Sequence, residues 1–351
     1  DAAPFHDKTV LVVGSANSAA DIAVEVSNVA KQVYLSVGDG MCLSGRFTGN
    51  GLPSDFQLKR AIHAWLPTNL AIRIFSWLLH KRINHRVLGL LYTGKELPIV
   101  VNDELQARIM SGKIKVIGHL REFRGDEVET VDGRVLTGVN NVINATGYKH
   151  DFSMMDKSLG LDKEELNLFK QVFPIHEEHH TLALVGCIRL SGPMPPTIEL
   201  QSRLAAYSFS GRHKLPAFEA MKADSERWNS MARRSDGSYR YAFMSIMVYE
   251  ELAAEIGVAP HFWPLFFSGK PRLALKSLLG PAFPFNYRLI GPGAWQGAES
   301  AMDKALEENK QALSYRTLPN ELQFRESLNV PASVKFFMML SVCICFYLYF
   351  M

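Results

Sequence analysis

The residues most able to do chemistry in this chain form one continuous stretch, Thr9-Val10-Leu11-Val12-Val13-Gly14-Ser15-Ala16-Asn17-Ser18-Ala19-Ala20-Asp21. An apolar run ends at a glycine and passes into small residues. That order predicts a buried strand, a tight turn and a helix. The chemistry it offers is anion binding, because the unpaired backbone N–H groups of a first helical turn meet a pyrophosphate. The dinucleotide pattern G-x-G-x-x-G/A appears here as Gly14-x-Ala16-x-x-Ala19. Alanine at the third position is within the pattern. Ala16 is a departure, since its methyl stands where backbone should approach phosphate. A plain strand–turn–helix is the alternative.

Which dinucleotide is read from the end of the next strand. An NAD site usually carries a carboxylate about 20 residues beyond the first glycine, bonded to the ribose 2′-hydroxyl. The sequence there is Leu35-Ser36-Val37-Gly38, without one. Ser36 and bare backbone leave room for a 2′-phosphate, and Arg46 is a candidate phosphate partner. The balance favours NADP, and Asp39 keeps NAD open.

Other chemical signals are weaker. His176-Glu177-Glu178-His179-His180 satisfies H-E-x-x-H. A zinc site of that kind needs both histidines one turn apart on a helix. Pro174 precedes the run and an apolar segment follows it at once, so it reads as a polar loop. Gly291-Pro292-Gly293 and Gly49-Asn50-Gly51 read as turns, since neither follows a strand and opens a helix. No nucleophile elbow G-x-S-x-G occurs. No catalytic acid, base, nucleophile or metal ligand is assigned.

The elements that must position the Gly14 turn are legible around it. A strand is expected over Thr9–Val13, a helix from near Ser18 through Val29, and a second strand over Gln32–Ser36. Residues 38–54 are polar and glycine-rich. Helical patterns follow around 56–65 and 70–84, then a short strand over 113–117. Residues 127–131, Asp132-Gly133 and 134–136 predict a β-hairpin. Asn141–Asn144 reads as a buried strand entering Ala145-Thr146-Gly147-Tyr148, and 181–186 as another apolar strand. Pro195-Pro196 opens a helix reaching about Phe209, as proline at a first helical position allows. Residues 216–241 read as a polar, exposed helix, and 260–297 as irregular but packed.

The chain has 351 residues, enough for two domains. Its net charge of +3 is too small to argue for nucleic acid. Lys59-Arg60 and Lys81-Arg82 read as solvated faces. Cys42, Cys187, Cys343 and Cys345 lack C-x-x-C spacing, so neither zinc nor a disulfide framework is implied. The chain begins with Asp1, without a signal-like segment, and reads as a piece of something longer or a processed product. Residues 336–351 carry no charge. As a helix they would span about 24 Å, slightly under a thin bilayer of about 27 Å. A buried core helix is the alternative. The terminal position, the aromatic content and the flanking Lys335, which can snorkel, favour a membrane anchor.

The motifs Gly14-Ser15-Ala16-Asn17-Ser18-Ala19-Ala20-Asp21, Val101-Asn102-Asp103-Glu104-Leu105, Ile143-Asn144-Ala145-Thr146-Gly147-Tyr148, Leu200-Gln201-Ser202-Arg203 and Gly291-Pro292-Gly293-Ala294-Trp295-Gln296-Gly297-Ala298 occur in one order over nearly the whole chain. Together they resemble the flavin-containing monooxygenases of the dimethylaniline monooxygenase type. The resemblance implies an α/β fold. It would have a Rossmann-like NADP-binding domain with a β-meander over 1–145, the C-terminal part of a FAD and substrate domain over 146–330, and a C-terminal membrane helix over 334–351. It implies FAD and NADP as cofactors, and O2 and a small nucleophilic substrate as partners. The implied activity is oxygenation of an amine nitrogen or sulfide sulfur through a C4a-hydroperoxyflavin. The place is the endoplasmic reticulum membrane, facing the cytosol, and the oligomeric state stays open. Gly14, Ser15, Ala16, Asn17, Ser18, Ala19, Ala20 and Asp21 would hold the NADP pyrophosphate, with Ser36 at the ribose. Asn144, Ala145, Thr146 and Gly147 would link the nicotinamide pocket to the flavin domain. The helix carrying Gln201 would aim its N-terminus at the flavin. The family's FAD fingerprint precedes its NADP fingerprint, and no G-x-G-x-x-G lies ahead of Gly14 in this sequence. The polypeptide alone is therefore expected not to retain FAD. A non-catalytic membrane-bound nucleotide-binding remnant and a Baeyer–Villiger-type flavin monooxygenase are the alternatives.

Overall fold

The computed structural model of the chain describes residues 1–48, 51–61, 68–92, 99–148, 151–161, 166–232 and 243–313. Its first half is built on a parallel sheet. The strands β1 (Thr9–Val13) and β2 (Gln32–Ser36) flank the helix α1 (Asn17–Val26). After them come β3 (Cys42–Ser44), α2 (Thr68–Arg82), β4 (Ile99–Val101), α3 (Leu105–Met110) and β5 (Ile114–Ile117). A meander of β6 (Leu120–Arg124), β7 (Glu127–Thr130) and β8 (Val135–Leu136) leads into β9 (Asn141–Asn144). The sheet order is β5-β2-β1-β9, with every pair parallel. That is the strand order of a mononucleotide-binding half of the doubly wound fold.

β1 lies in the middle of that sheet and is covered on both faces. Val10 and Val12 point into a core shared with Ala19, Ala20, Ala23 and Val24 of α1. Leu11 points the other way, against Val128, Leu136 and Val139 of the meander region. Burial on both faces explains why this strand reads as an unbroken apolar run. β3 and β4 pair in parallel as a separate small sheet, an element pair that the polar sequence of 38–54 did not announce.

The second half packs mainly through helices. Short pairings join β10 (Leu168–Phe169) to β11 (Phe173–Pro174), and β12 (Leu190–Ser191) to β13 (Phe243–Met244). The helices are α4 (Pro195–Phe209), α5 (Phe218–Ala232), α6 (Ser245–Glu255), α7 (Phe262–Phe267), α8 (Pro271–Leu279) and α9 (Ala298–Leu313). Phe173, Leu200, Leu204, Trp228, Tyr249 and Leu252 anchor one core.

Several expectations need correction. Residues 181–186 form no strand; the Leu184 N–H donates to the Val172 carbonyl at 2.8 Å, but no neighbouring strand builds a ladder along the segment. Residues 260–297 are not irregular throughout, since they contain α7 and α8. α5 is not simply exposed: Met221 and Trp228 on it are buried. Arg60 is not on a solvated face. It is 5% exposed, and its guanidinium grips Glu250 of α6, with Nη2 at 2.7 Å from Oε2. Its Nη1 donates to the Pro260 carbonyl at 2.9 Å and to the Ser277 hydroxyl at 3.1 Å. Tyr287 donates to the same Glu250 carboxylate at 2.8 Å. Burial, and then that carboxylate, push the Tyr287 phenol well above its ordinary value, so it remains a donor. Removing one partner of such a buried pair costs about 3–5 kcal/mol. The neighbouring Lys59 donates to the Leu279 carbonyl at 2.8 Å. Together these bonds fasten the 51–61 segment to the second half.

Burial pushes the Cys42 thiol up to about 11, and Cys42 and Cys187 are both free. Among the described residues no helix is long and apolar enough to cross a membrane. The expected anchor, with Lys335, Cys343 and Cys345, lies outside the described residues. So do Gly49 and Asn50, and part of the helix expected over 56–65.

Candidate dinucleotide site

Gly14 fixes the site because three strand ends meet at it. Its N–H donates to the Ser36 carbonyl at the end of β2, at 3.0 Å. The Ala145 N–H donates to the Val13 carbonyl at 2.7 Å, which brings the end of β9 alongside. At φ +150° Gly14 is in a region that L side chains avoid. A Cβ there would fall on the Ala145 carbonyl and lie 3.0 Å from the Ala19 methyl. The glycine is therefore required by the fold, before any ligand is considered.

Beyond it the chain is extended through Ala16, the residue just before α1, at φ −118° and ψ −176°. This backbone suits alanine without strain, and the methyl is exposed. The first intrahelical bond runs from the Ala20 N–H to the Ala16 carbonyl, at 3.1 Å. The N–H groups of Asn17, Ser18 and Ala19 precede it and have no helical acceptor. No side-chain cap covers this end of the helix. Ala19 and Ala20 are fully buried, so only their backbone can face a ligand, while Ala16, Asn17 and Ser18 are exposed. Ser15 is half-buried.

Two of the expected site residues have structural duties. The Asn17 carboxamide oxygen accepts from the Val101 N–H at 2.8 Å, tying β4 to the start of α1. The Asp21 carboxylate accepts from Asn102 Nδ2 at 2.7 Å and from Arg46 Nη2 at 3.2 Å. Arg46, a candidate for a phosphate, thus sits beside α1 on its own carboxylate. Its N–H donates to Asp103 at 2.8 Å. Asn102 also accepts from the N–H groups of Glu104 and Leu105, at 2.9 and 2.7 Å, as residues preceding helices do. So Val101-Asn102-Asp103-Glu104-Leu105 is the strap that holds the start of α1. Its Asn-Asp pair before an apolar helix was the available signal.

Ser36 is buried, and its hydroxyl donates to the Gly118 carbonyl at 2.8 Å, so only its backbone faces the edge. Asn144, Thr146 and Gly147 are exposed beside the Gly14 turn, with Ala145 half-buried against it. The carbonyl of Tyr148 accepts from Arg189 of the second half at 2.9 Å. Gln201 is set elsewhere, fully buried in the second half. It accepts from the Gly186 N–H at 2.9 Å and donates to the Gln171 carbonyl at 3.1 Å. Its neighbour Arg203 donates to the carbonyls of Tyr287 and Pro292, at 2.8 and 2.9 Å. The Gly291-Pro292-Gly293 turn is held there, as a packing feature. His176, Glu177, His179 and His180 lie in turns and loop, and among the described residues no cluster of His, Cys, Asp and Glu could hold a metal.

The flavin-binding monooxygenase-like family model matches residues 1–351. The chain belongs to that family. It is 38% identical to mouse flavin-containing monooxygenase 5 over 307 residues, covering 85% of this chain and 57% of that protein. It is 35% identical to mouse dimethylaniline monooxygenase (N-oxide-forming) 2 over 353 residues, covering 98% and 65%. The chain thus spans between about half and two thirds of the length of these relatives. Among solved structures, S-allyl-L-cysteine S-oxygenase from Allium sativum aligns over 89% of this chain and 56% of its own, at 18% identity and a TM-score of 0.45. Membership rests on sequence.

Asn102→Ala should loosen the start of α1. It deletes one bond to a carboxylate and two to helix N–H groups, and about 2 kcal/mol of stability should go with them. Urea unfolding would measure this; a loss under about 0.5 kcal/mol would mean that the strap carries no strain-bearing load.

Proposed function

We propose that this chain is the NADP-binding and C-terminal part of a flavin-dependent monooxygenase acting on soft nucleophiles, an amine nitrogen or a sulfide sulfur. One observation carries the reading. In a member of a flavin-binding monooxygenase-like family, a Gly14 turn at the carboxyl edge of a parallel sheet opens onto an uncapped helix N-terminus. That edge suits a pyrophosphate, because its N–H groups point outward and the helix dipole favours negative charge.

Residues 1–145 would form the NADP domain and 146–330 part of the FAD and substrate domain. The N–H groups of Asn17, Ser18 and Ala19 would bind the diphosphate. The exposed Asn144, Thr146 and Gly147 would border the nicotinamide. Gln201 would act indirectly, by fixing the backbone at Gly186 and Gln171 around α4, whose Thr197 hydroxyl is buried without a partner. The flavin supplies the redox and oxygen chemistry when bound. The protein's share is to hold the nicotinamide, exclude water and order the loops, which accords with the lack of an acid–base pair in the sequence.

Titration of the 351-residue polypeptide with NADP should show binding, while gel filtration should leave it without stoichiometric flavin absorbance. Ala16→Gly should tighten NADP by about 1 kcal/mol, as a closer backbone improves a bond to a charged group. Absence of NADP binding would contradict the reading. Unchanged affinity would show that the extended backbone at Ala16 already admits the phosphate.

Membrane attachment through residues 334–351, with the remainder on the cytosolic side of the reticulum, is part of the same proposal. It rests on the uncharged, aromatic run from 336 to 351. Deleting 334–351 should release the chain on carbonate extraction of membranes; pelleting as tight as that of the full chain would place the attachment elsewhere.

A further inference from the structure

The helix α2 turns a large apolar face outward. Leu70, Ile74, Trp77 and Leu78 recur at the spacing of one helix face and are between 41% and 60% exposed. Leu79, on the opposite side, is buried, and Ile83 just past the helix packs against the core of the first half. The helix is thus already seated by other residues, and the outward stripe takes no part in seating it. Cations border the stripe. Arg73 and Arg82 lie on its two flanks and Lys81 at its end, all exposed. Lys81 Nζ sits 5.1 Å from the centre of the Trp77 ring. Between Asp55 and Glu96 the sequence has no carboxylate, so nothing local neutralises these charges.

We propose that this face of α2 lies on an anionic lipid surface, with Leu70, Ile74, Trp77 and Leu78 in the acyl boundary and the cations at the phosphate groups. A stripe of Trp, Leu and Ile edged by Lys and Arg is what lets a helix lie in that plane. Trp77 suits the boundary, since an indole has an apolar body and one N–H for the wet side. The long stems of Arg73, Lys81 and Arg82 reach from the level of the stripe to the headgroups. Fifteen helical residues cover about 22 Å, too short to span, and Arg73 interrupts them. A second copy of this chain is the poorer occupant, because pairing the face with itself sets like charges together. The contact is distinct from the attachment proposed for residues 334–351 and does not depend on it.

The test is tryptophan emission of the full chain on vesicles of phosphatidylcholine, with and without phosphatidylserine, brominated near the headgroup end of the acyl chains. Residues 334–351 contain no tryptophan, so quenching does not report the tail. Phosphatidylserine should deepen the quenching, and added salt should reverse that gain. Trp77→Phe should remove the larger part of the quenched emission. Leu70→Asp combined with Leu78→Asp should do the same, at exposed positions that leave the fold intact. Lys81→Glu should raise the phosphatidylserine content needed by about fivefold or more, and Lys81→Arg should restore the parent response. Quenching that Trp77→Phe leaves unchanged overturns the proposal, even where the tail holds the chain on the vesicle. A phosphatidylserine gain that survives Lys81→Glu overturns it as well. So does a lipid-free dimer in sedimentation that Leu70→Asp with Leu78→Asp dissociates, which would give the face to a second copy.

Discussion

The close approach of backbone at Gly14 governs the first half of the molecule. β1 is paired on both sides, so its carboxyl end must pass between Ser36 and Ala145. Only a residue without a side chain can bond to the first and lie against the carbonyl of the second. Once that crossing is made, α1 must start where it does, with Ala19 packed against the turn and the first N–H groups outward. The helix N–H groups left without an intrahelical acceptor at this edge are a consequence of the crossing. Ala16 is extended and exposed at the helix start, so the fold itself accepts its methyl.

The second half depends on polar side chains that reach across elements to backbone carbonyls and N–H groups. Arg60, Gln201 and Arg203 are all buried, and each satisfies groups from at least two other segments. Irregular segments between short helices leave many backbone groups without ladder partners, and these must be paired inside the protein. Side chains of this kind do so where a sheet is lacking. Three of the motifs that mark the family therefore serve as fasteners. The Val101 motif straps the start of α1, Gln201 and Arg203 order the loops, and the Gly291 motif supplies the Pro292 carbonyl for Arg203.

The sequence made the parallel sheet legible because strands buried on both faces are apolar runs, as β1 is throughout and β2 in part. Asn141–Asn144 reads as a buried strand but is the half-exposed edge strand β9, with Val142 42% exposed, because only one neighbour covers it. The hairpin was equally open, from Asp132-Gly133 between alternating residues. The same apolar signal misled at 181–186, since composition cannot reveal whether a neighbouring strand exists. Arg60 was misjudged because burial of a charge depends on Glu250, 190 residues further on. β3 and β4 were missed since each is only three residues long. α9 carries its signal in Ala298 and Met302, four apart and both buried, amid a charged surface that hides it. Of the candidate site, the glycine turn and the helix start were readable from local spacing. That Ser36 spends its hydroxyl on Gly118, and that Asn17 holds β4, depends on strand register and was not.

Amide hydrogen exchange of the 351-residue chain with and without NADP tests the central claim most directly. With NADP, exchange should slow at residues 15–20, 37–40 and 145–147, the carboxyl edge of the sheet, with the second core little changed. Protection confined to the second half, with none at the start of α1, would contradict it.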